Sequence, residues 1–334
     1  MHDQHMDAGF HYQALTPDLI LDAIESLAIY PETGLLALNS YENRVYQFRD
    51  DNKRRYVVKF YRPERWSDEQ ILEEHSFAAE LSEQEIPVAT PLIVDGRSLH
   101  EYQGYRFTLF PSMGGRPFEV DNLDHLEEVG HFIGRIHQCA QAKPFHHREA
   151  LTPERLGDES LLWLQQSGHV PVGLETAYFT VVEQVLTKTK QLFSEVDAPH
   201  IRLHGDLHPS NILWTPDGPG FVDLDDAKMG PAIQDIWMML AGDRSQQTLQ
   251  LEVILEAYEE FCDFDKRQLK LIEPLRSLRM LHYSAWLSRR WGDPAFPMHF
   301  PWFGESKYWE QQILAFKEQL AALDEPPLSL LPQH

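Results

Sequence analysis

Apolar positions recur with two different periods along this chain, and the change of period divides it. Ile20, Ala23, Ile24 and Leu27 repeat at helical spacing, which predicts a short amphipathic helix capped by Thr16 with Pro17 at its first position. The period then shortens to two. The runs at 35–38, 44–48 and 55–61 read as antiparallel strands, the last two joined by the turn-rich Asp50, Asp51, Asn52 and Lys53. Ser67 with Gln70 fits a capping box, so a helix is expected from there to about Ser82, before Pro87. Strands are expected again at 91–94, 98–102 and 105–110, with turns at Asp95-Gly96 and Gln103-Gly104. Two glycines and two prolines then crowd into 111–117, where neither strand nor helix continues. Beyond this break the helical period takes over at 124–141, 174–196, 233–241, 246–262, 267–291 and 306–323, and only the stretch around 201–225 looks extended. The layout is α+β and bilobal: an antiparallel-sheet lobe with one main helix over 1–112, then a mostly helical lobe over 113–334.

Composition narrows the function classes. A chain of 334 residues with 43% hydrophobic content supports two cores. Its formal charge of −23 disfavours nucleic acid and anionic membrane surfaces as partners. Cys139 and Cys262 read as incidental thiols of a reducing compartment, not a disulfide framework. The start of the chain lacks a leader pattern, and no run of about 18 apolar residues occurs, so a cytoplasmic protein is expected. The Pro-rich end, 325–334, is expected to fray.

The chemistry concentrates at His204-Gly205-Asp206-Leu207-His208-Pro209-Ser210-Asn211, set between apolar flanks. Asp206 and Asn211 on one loop let a carboxylate accept a hydroxyl proton while an amide oxygen ligates a metal beside it. Twelve residues past Asn211, Asp223 ends a short apolar strand, where it can bridge the same cation, with Asp225 and Asp226 as rivals for that role. One Asp and one Asn suit Mg²⁺, which takes its remaining ligands from phosphates and water. Lys59 shares a strand face with Val57 and Tyr61. Glu74 falls on the packed stripe Ile71, Glu74, Ala78 and Leu81, whereas Glu73 lies off it, so an inward Lys59–Glu74 pair is expected to clamp phosphates. The turn 39–43, with Ser40 and Asn43, offers small polar groups in place of a glycine-rich phosphate loop. The tryptophans 286, 291, 302 and 309 read as packing residues, His208 as a backbone-orienting ring, and Arg276, Arg279, Arg289 and Arg290 as charge balance or a cleft-facing cluster.

These residues, in this order, resemble the aminoglycoside and choline kinase-like branch of the protein-kinase superfamily, in which H-G-D-x-x-x-x-N stands in the catalytic loop. Matching segments run from position 38 to 297 and include LNSYENRVYQF, VVKFYRPERW, QILEEH, LHGDLHPSNILW, FVDLDDA, LEAYEEF and DPAFP. The resemblance implies ATP and Mg²⁺ as cofactors, Asp206 as proton acceptor, and Asn211 and Asp223 as metal ligands. It further implies Ser40 at the ATP phosphates, Lys59 with Glu74 as the phosphate-binding pair, and Asp235 as the acid bracing the catalytic loop. The backbone between Phe110 and Gly115, Ser112 included, would be the hinge that meets adenine. Only twelve residues separate Asp223 from Asp235, which leaves no room for an ordinary activation segment. The expected activity is phosphoryl transfer by a monomer to a Ser or Thr hydroxyl on a protein, including itself, with an amino alcohol or sugar as the alternative acceptor and a nucleotide-sensing scaffold as the non-enzyme alternative.

Overall fold

The computed structural model describes residues 12–330, so the N-terminal stretch and the last four residues of the Pro-rich end lie outside it. Helix α1 (Pro17–Glu25) starts where the Thr16 side chain accepts the Leu19 amide, as the sequence predicts. Five antiparallel strands follow: β1 (Leu36–Ala37), β2 (Arg44–Arg49), β3 (Arg55–Phe60), β4 (His100–Tyr102) and β5 (Tyr105–Pro111), in the order β1-β2-β3-β5-β4. Alternation along β3 gives each face its own task. Tyr56, Val58 and Phe60 pack with Ile20, Ala23 and Ile24 of α1, while Lys59 turns to the other face. There it meets α2 (Asp68–Glu83), whose capping box of Ser67 and Gln70 forms as expected.

The segment 91–94 does not become a strand. Pro91 has no N–H, and the turn at Asp95 (φ 50°) and Gly96 (φ 75°) folds Val94 back onto Arg97, leaving Leu92 one bond to Leu109.

After β6 (Arg116–Pro117) the chain is mainly helical: α3 (Leu123–Ala140), α4 (Glu159–Ser167) and α5 (Glu175–Val196). Short strands β7 (Ile201–Leu203), β8 (Ile212–Thr215), β9 (Gly218–Phe221) and β10 (Lys228–Gly230) carry the catalytic segments. The remaining helices are α6 (Gln234–Trp237), α7 (Arg244–Tyr258), α8 (Ile272–Arg289), α9 (Ala295–His299) and α10 (Ser306–Ala322). Three of these boundaries differ from the periodicity. The helix expected over 233–241 is one turn, α7 starts early at the Asp243 capping box, and α8 waits until Ile272 behind a 3₁₀ stretch, with Pro274 in its first turn. Helices α4 and α9, short and weakly periodic, have no counterpart in the sequence reading.

Helix α3 lies close against α7. A Cβ at Gly134 would stand 2.5 Å from the Tyr258 carbonyl oxygen, so glycine sets that approach. The approach has a use: His137 of α3 meets both the Tyr258 hydroxyl (3.0 Å) and the Asp235 carboxylate (3.1 Å). No helix among the described residues is long and apolar enough to cross a membrane.

Candidate active site

Asp235 organises the catalytic loop from below. It is fully buried, and its two oxygens accept the His204 amide at 2.8 Å and the Gly205 amide at 2.9 Å. Two amides on one carboxylate fix the backbone one residue before Asp206, the bracing that the resemblance implied. Gly205 cannot be replaced. Its φ is +88°, and a Cβ there would lie 2.1 Å from the Asp226 carbonyl oxygen. Downstream, the His208 ring accepts the Ser210 amide (3.2 Å), and the Asn211 side-chain amide donates to the Asp206 carbonyl (2.9 Å), which leaves the Asn211 side-chain oxygen available.

The β8–β9 hairpin delivers the third residue. Val222 donates its amide to the Asn211 carbonyl at 3.0 Å, and its own carbonyl accepts from His204 Nε2 at 2.8 Å, so the two loops move as one piece. Asp223 follows in the left-handed region, φ 62° and ψ 66°, a strained conformation for a residue with a side chain. That turn leaves the Asp223 carboxylate half exposed, whereas Asp225 is buried and Asp226 pairs with Arg65 at 2.9 Å. Of the three rivals, Asp223 alone keeps an open carboxylate at the end of its strand.

Lys59 stands opposite, paired with Glu74 as expected and with two further carboxylates the sequence reading did not assign to it. Its nearest carboxylate is Asp225, with Nζ to Oδ1 at 2.7 Å; Glu74 is at 3.5 Å and Asp223 at 3.7 Å. Glu74 is inward as expected but shared with Arg148, at 3.4 Å. Asp225 also pairs with Arg65. Burial works against the charge of Asp225, yet Arg65 and Lys59 hold its carboxyl well below the usual range. Burial also disfavours a charged Lys59, but Asp225 and Glu74 hold its ammonium protonated. The off-stripe Glu73 accepts three consecutive amides, from His146, His147 and Arg148, and so ties α2 to the helical part.

Asp206, Asn211, Asp223 and Ser40 line one cavity of about 530 Å³. Asn43 reaches its edge, but its buried side chain accepts the Arg62 amide (3.1 Å), which braces the 39–43 turn against the end of β3. Phe110 and Ser112 lie outside the cavity lining: Phe110 pairs with Val57 in the sheet, and the Ser112 hydroxyl accepts from Gln47 at 2.9 Å.

Of the arginines, Arg279 takes the cleft-facing alternative, and of the tryptophans Trp286 lines the cavity while Trp309 is core, as expected. Arg279, Tyr283 and Trp286 lie on one face of α8 that lines the cavity, and Arg290, the residue after the helix, continues their four-three-four spacing. Arg279 Nη1 sits 2.6 Å from Asp206 Oδ1. Arg290 reaches Glu42 at 2.7 Å, and Trp286 donates its indole N–H to the same carboxylate at 2.6 Å. Burial would raise the Glu42 pKa, but Arg65 and Arg290 bring it to about 2. Asp293, also missed by the sequence reading, is buried and accepts from both Arg62 (2.9 Å) and Arg44 (3.0 Å). Through Glu42 and Asp293 the 39–43 turn is clasped to the helical part.

For Asp206 itself, burial favours the neutral acid, but the His208 hydrogen bond and the Arg279 guanidinium hold the carboxyl below its ordinary value. It is ionised at neutral pH, as a proton acceptor requires.

Residues 34–272 match the model of the phosphotransferase enzyme family. The chain is 49% identical to stress response kinase A of Escherichia coli strain K12 over 98% of this chain and 99% of the relative. Identity and coverage are the same to serine/threonine protein kinase RdoA of Salmonella typhimurium strain LT2. Among solved structures, amicoumacin kinase hAmiN, in complex with AMP-PNP, Ca²⁺ and Ami, superposes with a TM-score of 0.70 at 21% identity over 93% of this chain and 94% of that one. A kinase-type loop, a family model covering most of the chain and near-full-length relatives lead to one conclusion: the chain belongs to the phosphotransferase enzyme family.

Proposed function

We propose that this kinase phosphorylates serine or threonine hydroxyls on proteins, itself included, using Mg²⁺-bound ATP, in the setting of a stress response. The observation that carries this reading is the convergence of Asp206, Asn211 and Asp223 on one cavity with Lys59 3.7 Å from Asp223. The names of the 49%-identical relatives support the acceptor class and the stress setting.

The donor set fits a hard cation. Asn211 and Asp223 offer oxygen only, and among the described residues no cluster of three His, Cys, Asp or Glu side chains forms a complete metal cage. That suits an ion completed by phosphate oxygens and water. When bound, the ion neutralises charge that builds on the phosphates during transfer. Lys59 and the 39–43 turn, Ser40 foremost, hold the phosphates, and Asp206 orients the acceptor hydroxyl and takes its proton. In this reading the part through residue 112 binds nucleotide and 113–334 supplies base and acceptor surface. The free thiols of Cys139 and Cys262 suit a monomer working in the reducing cytoplasm.

One observation favours a small amino alcohol as acceptor instead. Tyr283 and Trp286 stack at 5.7 Å on the cavity wall, and aromatic faces attract ammonium groups. Incubating the protein with ATP, Mg²⁺ and a cell extract, then identifying phosphorylated products by mass spectrometry, separates the two. Phosphoserine or phosphothreonine that disappears with Asp206→Asn supports the protein acceptor; a phosphorylated small alcohol as the sole product rejects it.

A further inference from the structure

In a chain with a formal charge of −23, the acceptor end of the cavity nonetheless holds positive side chains. Two cations flank Asp206 there. Arg279 places its guanidinium 2.6 Å from the Asp206 carboxylate while its side chain stays half exposed. Lys228 comes from β10 and runs past the catalytic loop, its Cε 3.0 Å from where a Cβ on Gly205 would stand. Its ammonium lies 3.9 Å from Asp226, a loose contact that leaves most of its hydrogen-bonding capacity free.

The carboxylates of the same cavity are already matched by the chain's own cations. Glu42 faces Arg62, Arg65 and Arg290. Asp225 faces Lys59 and Arg65, and Asp226 faces Arg65. Asp223 belongs to the metal end. A cationic acceptor entering beside Asp206 would therefore meet two like charges, while the open carboxylate of Asp223 stands at the metal end, an arrangement that costs affinity. His282, on the adjoining turn of α8, lines the same cavity. Burial first, then Lys228, Arg289, Arg65 and Arg279, push its imidazole down to about 3.

We propose that the acceptor is an anionic protein segment, a serine or threonine flanked by acidic residues, and that Arg279 with Lys228 binds the flanking carboxylates. This rests on the reading of Asp206 as the base for a protein hydroxyl. Contact with a flanking carboxylate draws the Arg279 guanidinium away from Asp206 and opens the place where the hydroxyl must sit. Asp206 then takes the hydroxyl proton as the acceptor oxygen bonds to the γ-phosphorus and the bond from that phosphorus to the departing ADP oxygen breaks. Arg279 thus couples acceptor recognition to release of the base. An acidic chain would repel an acidic partner at long range, so the local cations at the cleft must supply the attraction.

The test uses the full-length protein with ATP and Mg²⁺ and two synthetic serine peptides, identical except that four flanking positions are Glu in one and Lys in the other. Ethanolamine is the third acceptor. Wild type is expected to favour the Glu peptide about tenfold in kcat/KM, mainly through KM, the scale of one charge-assisted contact. Arg279→Glu should move the preference toward the Lys peptide, and Arg279→Lys should keep its direction. The ratio between peptides is the readout, so a change of kcat common to both leaves it untouched. Should Arg279→Glu not fold, Lys228→Glu reads the same shift. Equal use of both peptides by wild type, or a preference unmoved by charge reversal, overturns the acceptor inference and leaves the protein-kinase reading standing. Ethanolamine turnover with neither peptide labelled overturns both.

Discussion

The two ends of the cleft hold similar charges in opposite ways. At the Lys59 end, Lys59, Arg65, Glu74, Arg148 and Asp225 form a closed network in which each member is largely shielded from water and has at least two ionic or hydrogen-bonding partners. At the Asp206 end, the base faces one half-exposed arginine and a histidine 3.4 Å away, while its backbone is held by Asp235. A buried ionic network is costly to rearrange because every displaced partner leaves a desolvated charge behind. A half-exposed pair gives way at little cost. The Lys59 end is accordingly built in advance, and the Asp206 end is built to exchange its contacts.

The largest expected effect lies at the exchangeable end. Asp206→Asn removes the proposed proton acceptor but preserves shape, so kcat should fall by roughly 10²–10⁴-fold, the contribution typical of a positioned base. Nucleotide affinity, measured by calorimetry, should change little. A loss of nucleotide binding as large as the loss of turnover would show that the two ends are not separable. At the prebuilt end the order reverses. Asp225→Ala leaves Lys59 and Arg65 with fewer partners in a buried setting and should lower stability by about 3 kcal/mol, read as an earlier denaturant midpoint. A wild-type midpoint would mean that the remaining carboxylates re-form the network. A smaller loss is expected from Asp235→Asn. The amide keeps one acceptor for two backbone N–H groups, so a loss of about 1–3 kcal/mol of stability is expected, together with a lower kcat at unchanged nucleotide affinity.

How far the sequence carries this contrast depends on which kind of signal each part leaves. The exchangeable end was legible because Asp206, Asn211 and Asp223 sit in a contiguous stretch whose order and spacing state their relation. The sheet was legible from alternation, and Glu74 from its place on the α2 stripe. The full network was not. Asp225 lies 166 positions from Lys59, so no local period links them. The same holds for Arg62 and Asp293, which meet only when the 39–43 turn docks against α9. The cleft-facing side of α8 was legible in principle. The spacing of Arg279, Tyr283 and Trp286, continued by Arg290 just after the helix, is that of a helical face, but a polar face predicts solvent until a neighbouring lobe is known to stand opposite. The early end of the helix at 233 and the late start of α8 escaped because 3₁₀ turns obey local hydrogen bonding more than apolar period.

The smallest expected effect sharpens the contrast through pH. His75 lies behind Lys59 in the prebuilt region, buried, with its ring nitrogens 2.8 Å from the Tyr61 hydroxyl and 2.8 Å from the Ser98 hydroxyl. Burial, then Lys59 and Arg148, push its pKa from 6.5 down to about 3. A depressed histidine is neutral in the fold but takes up a proton once unfolded, so acid favours the unfolded chain. Its contribution is therefore intact above about 6.5 and is lost as pH falls toward 3, at about 1.4 kcal/mol per unit. Asp206 acts in a different window. Its carboxyl is held below the ordinary 3.8, so the stability it adds is present above that value and disappears only in stronger acid. Denaturant midpoints measured at pH 6 and pH 5 thus lie inside the His75 window and outside that of Asp206, while burial also raises the carboxyls of Glu74 and Asp223. His75→Gln should remove about one proton from that slope while leaving kcat at pH 7 near wild type, because the ring touches the back of the network and not the cleft. An unaltered slope would mean that His75 titrates alike in both states, and that the positive charge of Lys59 is contained within its carboxylate partners.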